Sequence, residues 1–280
     1  GNSGPNPYLT GSPGAARGVI SVAAVDSTAK FPGAKLTFDG TTMSAINANG
    51  ADLPSGSMEI VYVSDDTNTG EDESLGCSAN AFTHAGVHSG GNQIAVVQRG
   101  TCARVAKAIF GQQAGAAAVV MVNNAAEYPP FEGQILENPD NGDKYTVTIP
   151  FLGVRNSDNT ALKNANGKSL TLSAADLENP GYKGYASFSS GGPRTGDSGL
   201  RPAISAPGVS ISSVAVGTGT DSTVLSGTSM ASPHVAGVAA LARQAHKTWK
   251  AGEIASALVS TADPASVAGY RLTLGGGLVD

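Results

Sequence analysis

Charge is thin in this 280-residue sequence: Asp, Glu, Lys and Arg together make up 14%, where an ordinary globular chain carries about 25%. The 17 basic residues are scattered among 22 acidic ones. No basic stripe exists to gather phosphates, so nucleic acid is not an expected partner. Long apolar runs are missing too. The longest uncharged one of note, residues 235–242, falls far short of the about 20 residues that cross a bilayer, which predicts no membrane span. The first residues do not combine a basic stretch with an apolar core, as a secretion signal does. Gly1-Asn2-Ser3-Gly4-Pro5 has the character of a loop in mid-protein, and the natural N-terminus is expected upstream. Cysteine is almost absent. Cys77 and Cys102 either close one loop of about 25 residues, worth roughly 3 kcal/mol through the unfolded chain, or stay as two thiols; spacing alone does not decide.

Glycine, at 37 residues, is what the chain has in quantity. Small side chains let backbones approach closely, which fits tight, loop-rich α/β or β structure, and the length allows one large core or two modest ones. Residues 19–25, apolar and β-branched without alternation, predict a strand covered on both faces, as inside a parallel sheet. From Phe31 to about Ser173 the texture changes. Short strands are predicted at 59–63, 94–98, 117–122, 145–154 and 170–172, with turn residues between them. The clearest helix of this middle stretch covers 102–113, where Val105, Ala108, Ile109 and Gln112 share a face and Gly115 stops it. A second covers 158–165, with Asn156 or Ser157 as its cap. Asn141-Gly142, between residues 133–136 and 145–147, predicts a hairpin turn and an antiparallel flap. After Gly184 the chain leads into residues 228–245, apolar or small nearly all round and so expected to be buried. An amphipathic helix follows over 250–262.

Ser226-Gly227-Thr228-Ser229-Met230-Ala231 puts a turn of small residues directly before that helix. Ser229 therefore sits at a helix N-terminus, where free N–H groups and the positive end of the dipole favour a developing oxyanion. Pro233 has no N–H for the carbonyl of Ser229, which loosens the first turn around the serine. Two readings stay open on these residues alone: a nucleophile, or a serine capping a structural helix.

The eleven residues Gly227-Thr228-Ser229-Met230-Ala231-Ser232-Pro233-His234-Val235-Ala236-Gly237 resemble the nucleophile motif of the subtilisin-like serine proteases. Three further blocks resemble the same family in the same order: residues 1–5, residues 186–193 with 202–208, and residues 276–280. The resemblance implies that Ser229 attacks the scissile carbonyl. It also implies that the Ser229 N–H and the side-chain amide of Asn2 hold the oxyanion; a neutral amide donates without a proton to lose. By the same resemblance Gly1 and Gly11 fall on the substrate side, Gly11 matching the base of the pocket for the residue before the cleaved bond, with a plain turn glycine as the other reading. The triad's Asp and His lie upstream of the Asn in this family. Of His84, His88, His234 and His246, none is expected to act as the base: His234 belongs to the nucleophile motif but stands five residues along the same helix. The chain by itself is therefore expected to be inactive, its partner being the N-terminal region of the catalytic domain, truncated or held as a separate chain.

The middle stretch, about residues 35–174 and above all Gln98-Arg99-Gly100-Thr101-Cys102 through residues 113–123, resembles a protease-associated (PA) domain. Such domains occur as inserts at this place in the family. The resemblance implies a Cys77–Cys102 disulfide, and with it an oxidising, extracellular setting. The expected architecture is thus an incomplete three-layer, parallel-sheet α/β catalytic domain (1–34 and 176–280) interrupted by an α/β insert (35–175). The resemblance implies a protein or peptide substrate and no cofactor for the chemistry. The acidic segment 65–73 has the look of a calcium loop but lacks the glycine an EF-hand requires, leaving a solvated loop or a structural calcium site whose ligands are unknown. The competing functional reading is a protein-binding module, working through the insert on a non-catalytic scaffold.

Overall fold

The computed structural model describes residues 1–65 and 70–280. In chain order the elements are β1 (Val22–Val25), β2 (Lys30–Phe38), β3 (Thr41–Asn47), β4 (Ser57–Tyr62), α1 (Ala79–His84), β5 (Gln93–Gln98), α2 (Arg104–Ala114), β6 (Ala118–Val122), β7 (Phe151–Val154), α3 (Asn159–Asn164), β8 (Ser169–Glu178), β9 (Ile204–Pro207), β10 (Ile211–Val214), β11 (Ser222–Leu225), α4 (Thr228–Ala245) and α5 (Ala251–Thr261). They fall into two compact units, Gly1–Ala29 with Asn179–Asp280, and Lys30–Glu178.

The second unit is a closed barrel in the order β2-β3-β7-β6-β5-β4-β8. β4, β5, β6 and β7 run parallel to one another, and the remaining pairings are antiparallel. β5, β6 and β7 are nearly continuous apolar runs, as parallel strands covered on both faces must be. Alternate residues part to two cores: Ile94 and Val96 pack with Leu36, Leu152 and Leu162, while Ala95 and Val97 pack with Phe82 and Ile109 of α1 and α2. Gly33 is needed where β2 is paired on both sides. A Cβ there would stand 2.9 Å from the Ala175 carbonyl and 3.1 Å from that of Ala45. The helix predicted over 102–113 is α2, and Gly115 ends it in the left-handed conformation with φ 95°.

Three local expectations need correction. The strand predicted over 145–154 shrinks to β7, because residues 135–147 form an irregular hairpin in which Tyr145 N–H donates to the Leu136 carbonyl and Val147 N–H to that of Ile135. Its turn is wider than Asn141-Gly142, although Gly142 does take φ 79°. Neither Asn156 nor Ser157 caps α3; a 3₁₀ turn precedes it, and there the Asp158 carboxylate accepts from Arg155 N–H at 3.1 Å. β2 and β3 were not foreseen, although β2 has the alternation of a half-buried strand, with Leu36 and Phe38 buried and Lys35 and Thr37 exposed; β3 runs from exposed Thr41 and Thr42 to buried Ala45–Asn47 without alternation.

Cys77 and Cys102 form a disulfide. Beneath it Lys107 of α2 is 0% exposed. Its ammonium donates to the Leu75 carbonyl at 2.5 Å and to that of Gly100 at 3.0 Å. Burial lowers its pKa to about 8, with Asp140 and Asp72 pulling the other way. Between that value and the unfolded value of 10.5 the unfolded chain binds more protons, so stability rises with pH through this window. Wild type is expected to gain on the order of 3 kcal/mol relative to Lys107→Met across it. Urea unfolding at stepped pH under non-reducing conditions checks this.

The first unit is built on β1, buried along its whole length and paired parallel with β9 from Val22↔Ile204 to Val25↔Pro207. The expected strand over 19–25 is shorter by three residues, and Val19 is 41% exposed. α4 packs on β1 and β9, with α5 against α4. Val22, Ala24, Ile204, Ala206, Ala231, Val235, Ile254 and Leu258 share this core. The expectation of a buried α4 is overturned. Only Thr228, Ala231 and Val235 are buried, and Leu241 is 65% exposed. A two-stranded sheet is too narrow to cover more than one stripe of an 18-residue helix, and the Ala, Gly and Ser side chains elsewhere expose little apolar area.

Candidate active site

Ser229 is the second residue of α4. It is exposed, and its N–H has no protein acceptor among the described residues. The turn before it is set by Gly227, whose N–H donates to the Gly208 carbonyl at 2.8 Å and whose own carbonyl accepts from Met230 N–H at 3.0 Å. Gly208 admits this contact because a Cβ there would come 2.6 Å from Ala24 Cβ and 3.0 Å from the Gly227 carbonyl.

Asn2 reaches the same place from the other end of the chain. Residues 1–9 are tied down by backbone bonds: Ser190 N–H to the Gly1 carbonyl at 2.9 Å, Gly4 N–H to that of Phe188 at 2.8 Å, and Leu9 N–H to that of Gly191 at 3.0 Å. Ser190 Oγ also accepts from Ser3 N–H at 2.9 Å. The Asn2 Oδ1 accepts from Thr228 N–H at 3.0 Å and from Thr228 Oγ1 at 2.9 Å. Both bonds require the carbonyl side of the amide, so its Nδ2 faces elsewhere. A Cβ built on Gly227 would lie 3.3 Å from Asn2 Nδ2 and 3.6 Å from Ser229 N. Both donor nitrogens thus lie close to the place that a side chain on residue 227 would occupy, with Met230 Sδ also 3.6 Å from it.

Gly1, Asn2, Gly11, Thr228 and Ser229 line one cavity of ≈ 390 Å³. Gly11 has nothing within 4 Å of where its Cβ would stand. Together these groups offer an exposed hydroxyl at a positive helix end and two neutral donors beside it, an arrangement able to receive a carbonyl oxygen that gains charge.

Residues 1–277 match the family model described as "Subtilase family". The chain belongs to the subtilases. This subtilase chain is 29% identical to the minor extracellular protease Vpr of Bacillus subtilis (strain 168) over 94% of its own length and 30% of the relative's. It is 30% identical to the subtilisin-like protease SBT1.4 of Arabidopsis thaliana over 94% of its length and 34% of the relative's. It therefore spans about a third of the curated relatives it matches. Among solved structures, the psychrophilic subtilisin-like protease Apa1 of Pseudoalteromonas sp. AS-11 covers 100% of the chain with 60% of its own, at 20% identity and a TM-score of 0.35, too low to carry an argument.

In the subtilase chain each histidine has a contact of its own. His234 Nδ1 lies 2.8 Å from the Met230 carbonyl one turn back. His246 stacks on Trp249. His84 Nδ1 lies 2.7 Å from Glu73 Oε1, and His88 Nδ1 lies 2.9 Å from the Gly86 carbonyl. Of the acidic segment 65–73, residues 66–69 lie outside the described residues. Asp72 accepts from Ser74 N–H at 3.1 Å. Two contributors were missed in the sequence: Thr228, which orients the Asn2 amide, and Gly227, which leaves the space between the donors. Both stand inside the nucleophile motif, so their positions were visible, but their task appears only once Asn2 is beside them.

Proposed function

We propose that this subtilase chain supplies the nucleophile half of a serine endopeptidase site. Ser229 attacks the carbonyl of a protein or peptide substrate to form an acyl-enzyme, and Asn2 Nδ2 with the Ser229 N–H holds the oxyanion. The observation that carries this reading is the pinning of Asn2 Oδ1 by Thr228, with Asn2 Nδ2 and Ser229 N at 3.3 and 3.6 Å from the place a Gly227 Cβ would take. The Asp and His of the triad come from the rest of the parent catalytic domain, and the exposed flank of α4 is the surface on which that region packs. Without them Ser229 has no base to take its proton, and the chain alone does not turn over substrate. Gly11, with open space around it, leaves room for a large apolar side chain before the cleaved bond.

Residues 30–178 are read as a PA insert in this domain, supported by the 98–123 motif run and by a core of their own. Secretion belongs to the same proposal. It is supported by the disulfide, which persists in oxidising compartments, and by a relative named as extracellular. No helix among the described residues is long and apolar enough to cross a membrane.

A fluorophosphonate probe tests the reading. Ser229 should stay unlabelled in the chain alone and become labelled when the upstream region of the parent is supplied. An assembled parent that never reacts would turn the reading toward a binding module on a dead scaffold. Thr228→Val probes the carrying observation: it removes the hydroxyl donor to Asn2 Oδ1 while keeping the N–H. In the assembled enzyme kcat is expected to fall about tenfold, one hydrogen bond's worth of positioning, with KM nearly constant. An unchanged kcat would mean that Thr228 does not orient the amide.

A further inference from the structure

A disulfide that only closes a loop needs no buried cation under it, and this one has Lys107. The ammonium contacts both sulfurs, Cys102 Sγ at 3.2 Å and Cys77 Sγ at 3.7 Å. Its two carbonyl acceptors, Leu75 and Gly100, each stand two residues before one of the cysteines. Lys107 therefore ties together the same two segments that the covalent bridge already joins. As a second staple it is redundant, and burying a charge without a contacting anion is costly. None of the nearby charged side chains makes that contact among the described residues. Asp140 accepts from Ala103 N–H at 2.8 Å, Asp72 caps the turn at Ser74, Glu73 pairs with His84 and Arg104 with Glu132.

The missing anion becomes available when the bridge opens. Cys102 lies two residues before α2, so the positive end of that helix adds to the ammonium. Both cysteines are half-buried rather than sealed, within reach of a small reagent.

We propose that Cys77–Cys102 is a thiol–disulfide exchange site for small thiols, in which Lys107 stabilises the thiolate released at Cys102. An external thiolate attacks Cys77 Sγ, and the electron pair of the S–S bond leaves on Cys102 Sγ beside the ammonium. The new bond is a mixed disulfide at Cys77. A second thiolate attacks its outer sulfur and frees Cys77, which takes a proton from solvent. Two external thiols are thereby oxidised to one disulfide while the protein bridge gains two electrons. A better-stabilised leaving thiolate departs faster, and a stabilised reduced form makes the bridge more oxidising. Exchange activity accounts for a buried lysine that the closed bridge does not need.

The test follows reduction of the whole folded chain by dithiothreitol at pH 7, counting alkylated thiols by mass. Lys107→Met should be reduced about tenfold more slowly. Its equilibrium constant against glutathione should shift about tenfold toward the disulfide, which is about 30 mV. In Cys77→Ala, the pH profile of Cys102 alkylation should place the thiol below about 7.5, against about 8.5 for an ordinary cysteine; this arm stands even where Lys107→Met fails to fold. A third readout needs no variant: the wild-type bridge should be reduced at least as fast as oxidised glutathione. Equal rates and potentials in wild type and Lys107→Met, a Cys102 thiol titrating at or above about 8.5, or a wild-type bridge slower than that reference would each overturn the proposal. A lysine of purely structural role would move the unfolding midpoint and leave the thiol titration where it was.

Discussion

Ser229→Ala is expected to abolish fluorophosphonate labelling and peptide hydrolysis by the assembled parent enzyme, a loss in kcat of about 10⁶, a magnitude carried over from a subtilisin. The size follows from chemistry that runs through one oxygen: without it no acyl-enzyme forms, and what is left is binding and an oxyanion site with nothing to attack from. Asn2→Ala is the graded counterpart. The amide donates to an oxygen that becomes fully charged only in the transition state, so kcat should drop about 10²–10³, again a subtilisin value, while KM stays nearly constant. Asn2→Asp is the sharper probe. A carboxylate can still accept from Thr228 N–H and Oγ1, as Asn2 Oδ1 does at 3.0 and 2.9 Å, so position is kept while the donor is replaced by a negative charge. Activity should fall below that of Asn2→Ala. Steady-state kcat and KM for the three variants decide the matter; an Asn2→Asp enzyme as active as wild type would remove the amide from the oxyanion site.

The candidate site residues were legible because the subtilase nucleophile motif is contiguous and its chemistry needs few residue types. Ser229 at a helix start and Asn2 in a glycine-rich loop could be named before any coordinates. What the pattern could not contain was the link between them, since Thr228 and Asn2 are 226 positions apart and no local period spans such a distance. Composition at α4 points to more burial than the first unit alone provides. A helix of Ala, Gly, Ser and Val looks buried on every side, yet the first unit offers it one narrow sheet and only three of its residues are covered. In the second unit, apolar runs marked β4 to β6; β2 was passed over although Leu36 and Phe38 alternate with exposed Lys35 and Thr37, and β3 carries no period, its first residues exposed and its last buried. Lys107 illustrates the limit most sharply. It lies outside the apolar face predicted for the helix, Val105, Ala108, Ile109 and Gln112, and nothing in the sequence says that its ammonium lies under the bridge between Cys77 and Cys102.

The packing of α1 on α2 carries the second large expectation. Phe82 is 0% exposed, and its ring fills a slot made by two glycines: a Cβ on Gly76 would stand 3.0 Å from Phe82 Cζ, and one on Gly111 would stand 3.1 Å from Phe82 Cε1 and 2.3 Å from Val119 Cγ2. Phe82→Ala leaves that slot empty and should destabilise the 30–178 unit by about 3–5 kcal/mol, lowering its thermal midpoint by about 10 °C. Gly111→Ala presses on the same place from the other side. Its gain in helix propensity, about 1 kcal/mol, is outweighed by overpacking of about 1–3 kcal/mol. In the Phe82→Ala background one of its two close neighbours is gone, and Val119, whose Cγ2 stands 2.3 Å from the added methyl, gains the emptied slot to move into. Gly111→Ala should then cost at least about 0.5 kcal/mol less than it does in wild type, a coupling readable from a double-mutant cycle of urea unfolding curves. Strict additivity would mean that the helices relax independently at this contact, and that ring and glycine do not share one slot.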